Sequence, residues 1–149
     1  MKKTVFGIFL AAVLAGAVLA QPPAPPALSP LSAAAGTPTL YTLRFTAQDT
    51  VPRDARFVLL FPEGFRLNML SLAGSSVMKG GFSVQVNGQK AQIVRKGEGQ
   101  PVAPGTAVDL KFSLVGNPAK PGPYAVSWWI ERGDGSRLTP PDTLAVQIQ

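Results

Sequence analysis

The sequence predicts an all-β protein, an antiparallel immunoglobulin-like β-sandwich of about seven to eight strands, with a small barrel as the alternative that shares the same local pattern. Three observations predict it. Short apolar runs alternate with polar residues at a period of two, the spacing of a strand with one face buried. Clusters of Gly, Pro, Asn and Asp punctuate these runs roughly every ten residues. No stretch after Ala27 carries the spacing of an amphipathic helix.

The elements follow in chain order. Ala27 to Ala34 reads as a broken first strand, and Pro30, which has no N–H to donate, confines it to a sheet edge. In Leu40 to Gln48, Tyr41, Leu43, Phe45 and Ala47 share one face, the core face of a strand. Arg56 to Phe61 places Phe57, Leu59 and Phe61 on one side, and its other side, Val58 and Leu60, is apolar as well. A strand apolar on both faces is expected to be central or partly covered. Phe65 to Gly81 mixes apolar residues with Gly and Ser and is expected to hold a short strand followed by a loop. Phe82 to Val86 and Lys90 to Lys96 flank Asn87-Gly88, a strong tight-hairpin signal, with both central residues expected at positive φ. Val108, Leu110, Phe112 and Leu114 line one face of the next strand. Tyr124, Val126, Trp128 and Ile130 alternate with Ala125, Ser127, Trp129 and Glu131. Leu144, Val146 and Ile148 form the last strand.

Ahead of these strands lies a different kind of segment. Lys2 and Lys3 precede an apolar run from Thr4 to Leu19, and Val18-Leu19-Ala20 closes it with a small residue. That order is expected of an export signal cleaved after Ala20. The run is about sixteen residues, short of the roughly twenty that a stable membrane span needs. Gln21 to Pro26 then holds Pro22, Pro23, Pro25 and Pro26, the composition of a stiff extended spacer. The expected organisation is a signal peptide over 1–20, a proline-rich spacer over 21–26 and one domain over 27–149. The protein is thus expected to be exported to the periplasm, the cell surface or the medium, with membrane attachment only if the signal segment is retained.

Composition removes several function classes. The 149 residues include no Cys and no His, so disulfides, histidine-based triads and the commonest soft-metal ligands are absent. The formal charge is +6, which becomes +4 without Lys2 and Lys3, and the remaining cations are scattered. No basic stripe with interleaved aromatics points to nucleic acid.

Leu40-Tyr41-Thr42-Leu43-Arg44-Phe45-Thr46, then Phe57-Val58-Leu59-Leu60-Phe61-Pro62-Glu63-Gly64-Phe65, then Asn117-Pro118 through Pro121-Gly122-Pro123-Tyr124 make a recurring kind of strand pattern. It resembles the immunoglobulin-like modules of bacterial secreted and cell-surface proteins. The resemblance spans about Leu28 to Gln149 and implies a spacer, assembly or adhesive role, with no catalytic residues to carry over.

The constellations that could carry chemistry are sparse. Ser76-Val77-Met78-Lys79 has S-x-x-K spacing but lacks companion motifs. The eight carboxylates are separated, and Asp134 within Gly133-Asp134-Gly135-Ser136 reads as turn chemistry. Met69 and Met78 read as apolar filling rather than a copper site. No cofactor, metal or catalytic residue is therefore expected. If Trp128 faces the core, Trp129 faces out, and an outward Trp is a contact for a partner. Leu40, Val58 and Leu60 extend that patch if their strands share its sheet. The expected function is a non-catalytic binding or structural domain acting through a sheet face or strand edge. Its expected partner is another envelope protein or an anionic cell-wall polymer. The alternative is an enzyme or accessory subunit acting on an extracellular polymer, which needs a cleft with paired acids.

Overall fold

The computed structural model describes residues 16–17 and 22–149. The export segment and the first residue of the spacer fall largely outside them. Nine strands follow one another: β1 (Ala27–Pro30), β2 (Pro38–Thr46), β3 (Arg56–Leu60), β4 (Leu72–Gly74), β5 (Phe82–Asn87), β6 (Lys90–Arg95), β7 (Ala107–Gly116), β8 (Gly122–Glu131) and β9 (Asp142–Ile148). They form two antiparallel sheets, ordered β1-β2-β7-β4 and β5-β6-β3-β8-β9. The arrangement is a sandwich and not a closed barrel. The shortest strand, β4, is the short strand expected in the irregular stretch between Phe65 and Gly81, and it is three residues long.

The two-residue period does most of the folding. Tyr41, Leu43 and Phe45 of β2, Leu110 and Phe112 of β7, Phe57 and Leu59 of β3, and Val126 and Trp128 of β8 all point into the space between the sheets and are buried. Burial of each large side chain contributes roughly 1.5–3 kcal/mol. The strand apolar on both faces, β3, is the centre of its sheet, hydrogen-bonded to β6 on one side and β8 on the other. Two buried polar side chains of the sandwich, Tyr41 and Asn117, pair with each other and with the loop before β2. The Tyr41 hydroxyl donates to Asn117 Oδ1 at 2.6 Å, and Asn117 Nδ2 donates to the carbonyls of Ser32 and Ala34 at 2.9 Å. Burial pushes the Tyr41 hydroxyl well above its ordinary pKa, so it stays a proton donor.

Two expectations need correcting. Leu114 does not share the core face of β7: it is 42% exposed, and Val115 is buried instead. The pairing explains this. Thr39 faces Val115 and Tyr41 faces Phe112, so β7 carries one extra residue across that interval and its side-chain parity flips. The β5–β6 hairpin turns at Gly88-Gln89 and not at Asn87-Gly88, because Asn87 and Lys90 are the last facing pair. Gly88 has φ +59° and no non-glycine residue among those described has positive φ, the pattern of a II′ turn with glycine first. The shift by one frees the Gln89 side chain, whose Nε2 donates to the carbonyls of Pro62 (2.7 Å) and Phe65 (3.1 Å).

The sheet edges differ. β1 ends in Pro30. The end of β9 is tied to the loop before β2, with Ala35 donating to Gln149 and Gln149 donating to Ala33. Among the described residues, β5 pairs with β6 alone.

Candidate functional site

The outer face of the five-stranded sheet gathers three of the four residues singled out from sequence. Register puts Val58 between Gln92 on β6 and Trp129 on β8, Leu60 between Lys90 and Ser127, and Arg56 between Val94 and Glu131. Leu40 lies on β2, in the other sheet, half-buried beside the bulge, so the four residues do not form one patch.

Trp129 points outward, as strand parity requires, yet it is only 7% exposed. The turn after β8 folds back and covers it. Arg137 faces Glu131 across that turn, and its guanidinium carbon stands 4.7 Å from the centre of the indole ring, a cation–π contact. The indole N–H donates to Glu131 Oε1 at 2.8 Å. Val58, flanked by Gln92 and the large indole, is fully buried. Leu60 is the exposed member, at 39%. An outward Trp on an open face is therefore a covered Trp here. The signal for it is Arg137, six residues past the end of the alternating run, which a period of two does not connect to Trp129.

The turn itself is locally determined. Asp134 accepts from the N–H (2.8 Å) and hydroxyl (2.6 Å) of Ser136, and these bonds hold its carboxyl below the ordinary range. A Cβ at Gly133 would clash with the Asp54 carboxylate, so a larger residue there needs the exposed Asp54 side chain to swing aside.

That turn borders a cavity of about 600 Å³ at one end of the sandwich, lined by Asp49, Asp54, Asp134 and Arg132 among others. A general acid needs a carboxyl held above its ordinary pKa; Asp134 is held below it. Among the described residues, no group of three or more potential ligands is placed to hold a metal ion. The Ser76–Lys79 spacing forms no nucleophile–base pair either. Ser76 Oγ donates to Asp109 at 2.5 Å, while Lys79 Nζ donates to the Ser76 carbonyl. Met78 is buried and Met69 exposed.

The remaining feature of this sheet is the free edge of β5. Its sequence, Phe82-Ser83-Val84-Gln85-Val86-Asn87, has no charge and no proline, and Val86 is 39% exposed. Natural edge strands are usually blunted by such residues.

No protein-family model matches the chain. No curated protein sequence matches it. Solved structures do. A cohesin module from a family 33 glycoside hydrolase of Clostridium perfringens superposes with a TM-score of 0.54 at 16% identity, covering 83% of this chain and 96% of that one. Domains D2 and D3 of the major pilin SpaD of Corynebacterium diphtheriae give 0.52 at 11% identity, with 83% of this chain and 50% of that one covered. The N-terminal domain of the Streptococcus gordonii adhesin Sgo0707 gives 0.50 at 13%, with 83% and 32% covered. This chain thus spans half of the pilin fragment and about a third of the adhesin domain. The likeness is one of fold: the protein is an immunoglobulin-like β-sandwich resembling modules of bacterial secreted and cell-surface proteins.

Proposed function

We propose that this protein is an exported, non-catalytic binding domain that recruits an extended segment of a protein partner onto strand β5. The observation that carries the proposal is the free, uncharged, proline-free edge of Phe82–Asn87, where main-chain hydrogen bonds are available to an added strand. Sharing a fold with a pilin and an adhesin domain supports a role in assembly or attachment. In this reading Val58 and Trp129 stiffen the sheet behind the edge, and Leu60 and Leu40 lie outside the contact.

The domain is delivered by a signal peptide over 1–20 and stands on a spacer over 21–26. Mass spectrometry of the mature protein is expected to find a chain starting at Gln21; intact Met1 in the membrane fraction would replace export and release by tethering.

The edge is tested with a photo-crosslinking residue at Val86, compared with the same residue at Ala145 on β9. Crosslinks to one partner from Val86 alone are expected, and Val84→Pro, which removes an N–H that faces away from β6, is expected to abolish them while the domain still melts cooperatively. Equal yields from both strands would sink the proposal. A second reading, an enzyme or accessory subunit acting on an extracellular polymer, draws support from the aspartate-lined cavity. It requires polymer breakdown that disappears in Asp54→Asn.

A further inference from the structure

The register of the β5–β6 hairpin fixes which main-chain groups of β5 are free. The two strands are joined by the turn Gly88-Gln89, and Asn87 and Lys90 are their last facing pair. Residues that flank a two-residue turn exchange both main-chain bonds, and such pairs recur at every second position of an antiparallel ladder. Ser83, Gln85 and Asn87 therefore direct their N–H and C=O groups at β6. Two positions before Ser83 the same alternation holds, with Gly81 accepting from the Lys96 N–H at 3.2 Å. Phe82, Val84 and Val86 point theirs away from β6, along the edge of the sheet.

These groups are symmetric about Val84. Phe82, Val84 and Val86 also share the inner face of the sheet, opposite Arg95, Ile93 and Ala91 of β6. Phe82 and Val84 pack against the core, while Val86 is left 39% exposed. The outer face carries Ser83 and Gln85, both neutral. A two-fold axis sets each group beside it against its own copy, so a charge near the axis would meet an identical charge. β5 has no charge to meet. Lys79 and Lys96 lie beyond its start, and Lys90 lies beside its last residue, Asn87.

We propose that the occupant of this edge is β5 of a second copy of the chain, paired antiparallel about a two-fold axis through Val84. The proposal rests on the reading of β5 as a binding edge and names its partner. In this register Val84 faces the partner's Val84 and Phe82 faces the partner's Val86. Each of these pairs exchanges both main-chain bonds, and the partner's Phe82 covers the exposed Val86. Ser83 faces the partner's Gln85 as a pair without main-chain bonds, with Cα atoms about 4.5 Å apart. The contact is self-complementary and uses the β5 edge of both copies, so it closes as a dimer. One strand pair is a small interface, so the dimer forms reversibly and with rising concentration.

The chain has no cysteine, so single cysteines report on the pairing without background. Ser83→Cys and Gln85→Cys, both on the outer face of β5, are made in the full chain, mixed and mildly oxidised. The mixed and same-site disulfide dimers are then told apart by mass. Facing positions fall within the Cα separation of up to about 6.8 Å that a disulfide bridges. Same-site cysteines stand diagonally, roughly 7–8 Å apart. The mixed dimer is therefore expected to outweigh each same-site dimer by about tenfold, against about twofold from random collision. Adding Val84→Pro to both chains should return the ratio to the collisional one. Ala145→Cys on β9 should give collisional trapping only. A mixed dimer at the collisional ratio, or trapping on β5 no faster than at Ala145→Cys, would overturn the self-pairing. The photo-crosslinker at Val86 separates this proposal from the one it rests on. Crosslinks between copies support both. Crosslinks to a different protein keep β5 as a binding edge and overturn the self-pairing, and no crosslinks overturn both.

Discussion

Trp128 and Trp129 are neighbours in the chain, on one strand, and end up on opposite faces of one sheet. Trp128 points inward, packs on Phe45 and leaves its N–H unpaired among the described residues. Trp129 points outward, yet it lies under Arg137 and donates its N–H to Glu131. Both are nearly inaccessible to solvent. The inner one is buried by the fold as a whole, since residues from both sheets surround it. The outer one is buried by a local device, the turn that brings Arg137 back opposite Glu131. The core supplies shape without an acceptor; the local device supplies an acceptor and a cation. Burial and polar satisfaction are therefore separate properties, set here by different parts of the chain.

The largest effect is expected from Trp128→Ala. Removing a core indole leaves a cavity between the sheets and should destabilise by about 3–5 kcal/mol in urea denaturation. Trp129→Ala should lower stability by about 2 kcal/mol, because its apolar area is covered on one face only and the sheet beneath stays packed. Equal losses would mean that the outer Trp is held by more than its turn. Arg137→Ala should destabilise by only about 0.5–1 kcal/mol, the scale of an exposed cation–π contact. It should also expose Trp129 and shift tryptophan emission to the red. An unshifted spectrum would show that Arg137 is not the cover. The smallest effect is expected from Trp128→Phe, within about 1 kcal/mol of wild type, since the lost ring volume is offset by removal of an unpaired buried donor.

The inner Trp was legible and the outer one only half so. Alternation from Tyr124 to Glu131 assigns each residue to a face, because successive side chains on a strand point in opposite directions. The same rule identified Tyr41, Leu43, Phe45, Phe57 and Leu59 as core and β3 as covered on both sides. It failed at Leu114, where the bulge opposite Thr39 and Tyr41 reverses the parity of β7. Nothing in the local pattern of β7 marks an extra residue whose effect depends on its partner strand. The hairpin was legible, but its register was off by one, because Asn87-Gly88 and Gly88-Gln89 both offer the glycine that a tight turn needs. A cavity that opens beside Trp128 was not legible. Its walls come from the spacer, from β2, from β8 and from the segment before β9, which only folding brings together.

The all-β class, the face on which most strand side chains lie, the edge position of Pro30 and the want of histidine and cysteine chemistry are readable from the residues alone. These are local properties, set by side-chain parity, by proline's missing N–H and by composition. Tertiary structure decided which strands share a sheet, and so parted Leu40 from Trp129. It also decided that an outward Trp is covered while an inward Trp keeps an unpaired N–H, and that β5 is left with one partner. Each of these depends on contacts between residues far apart in the chain, which a period of two does not encode.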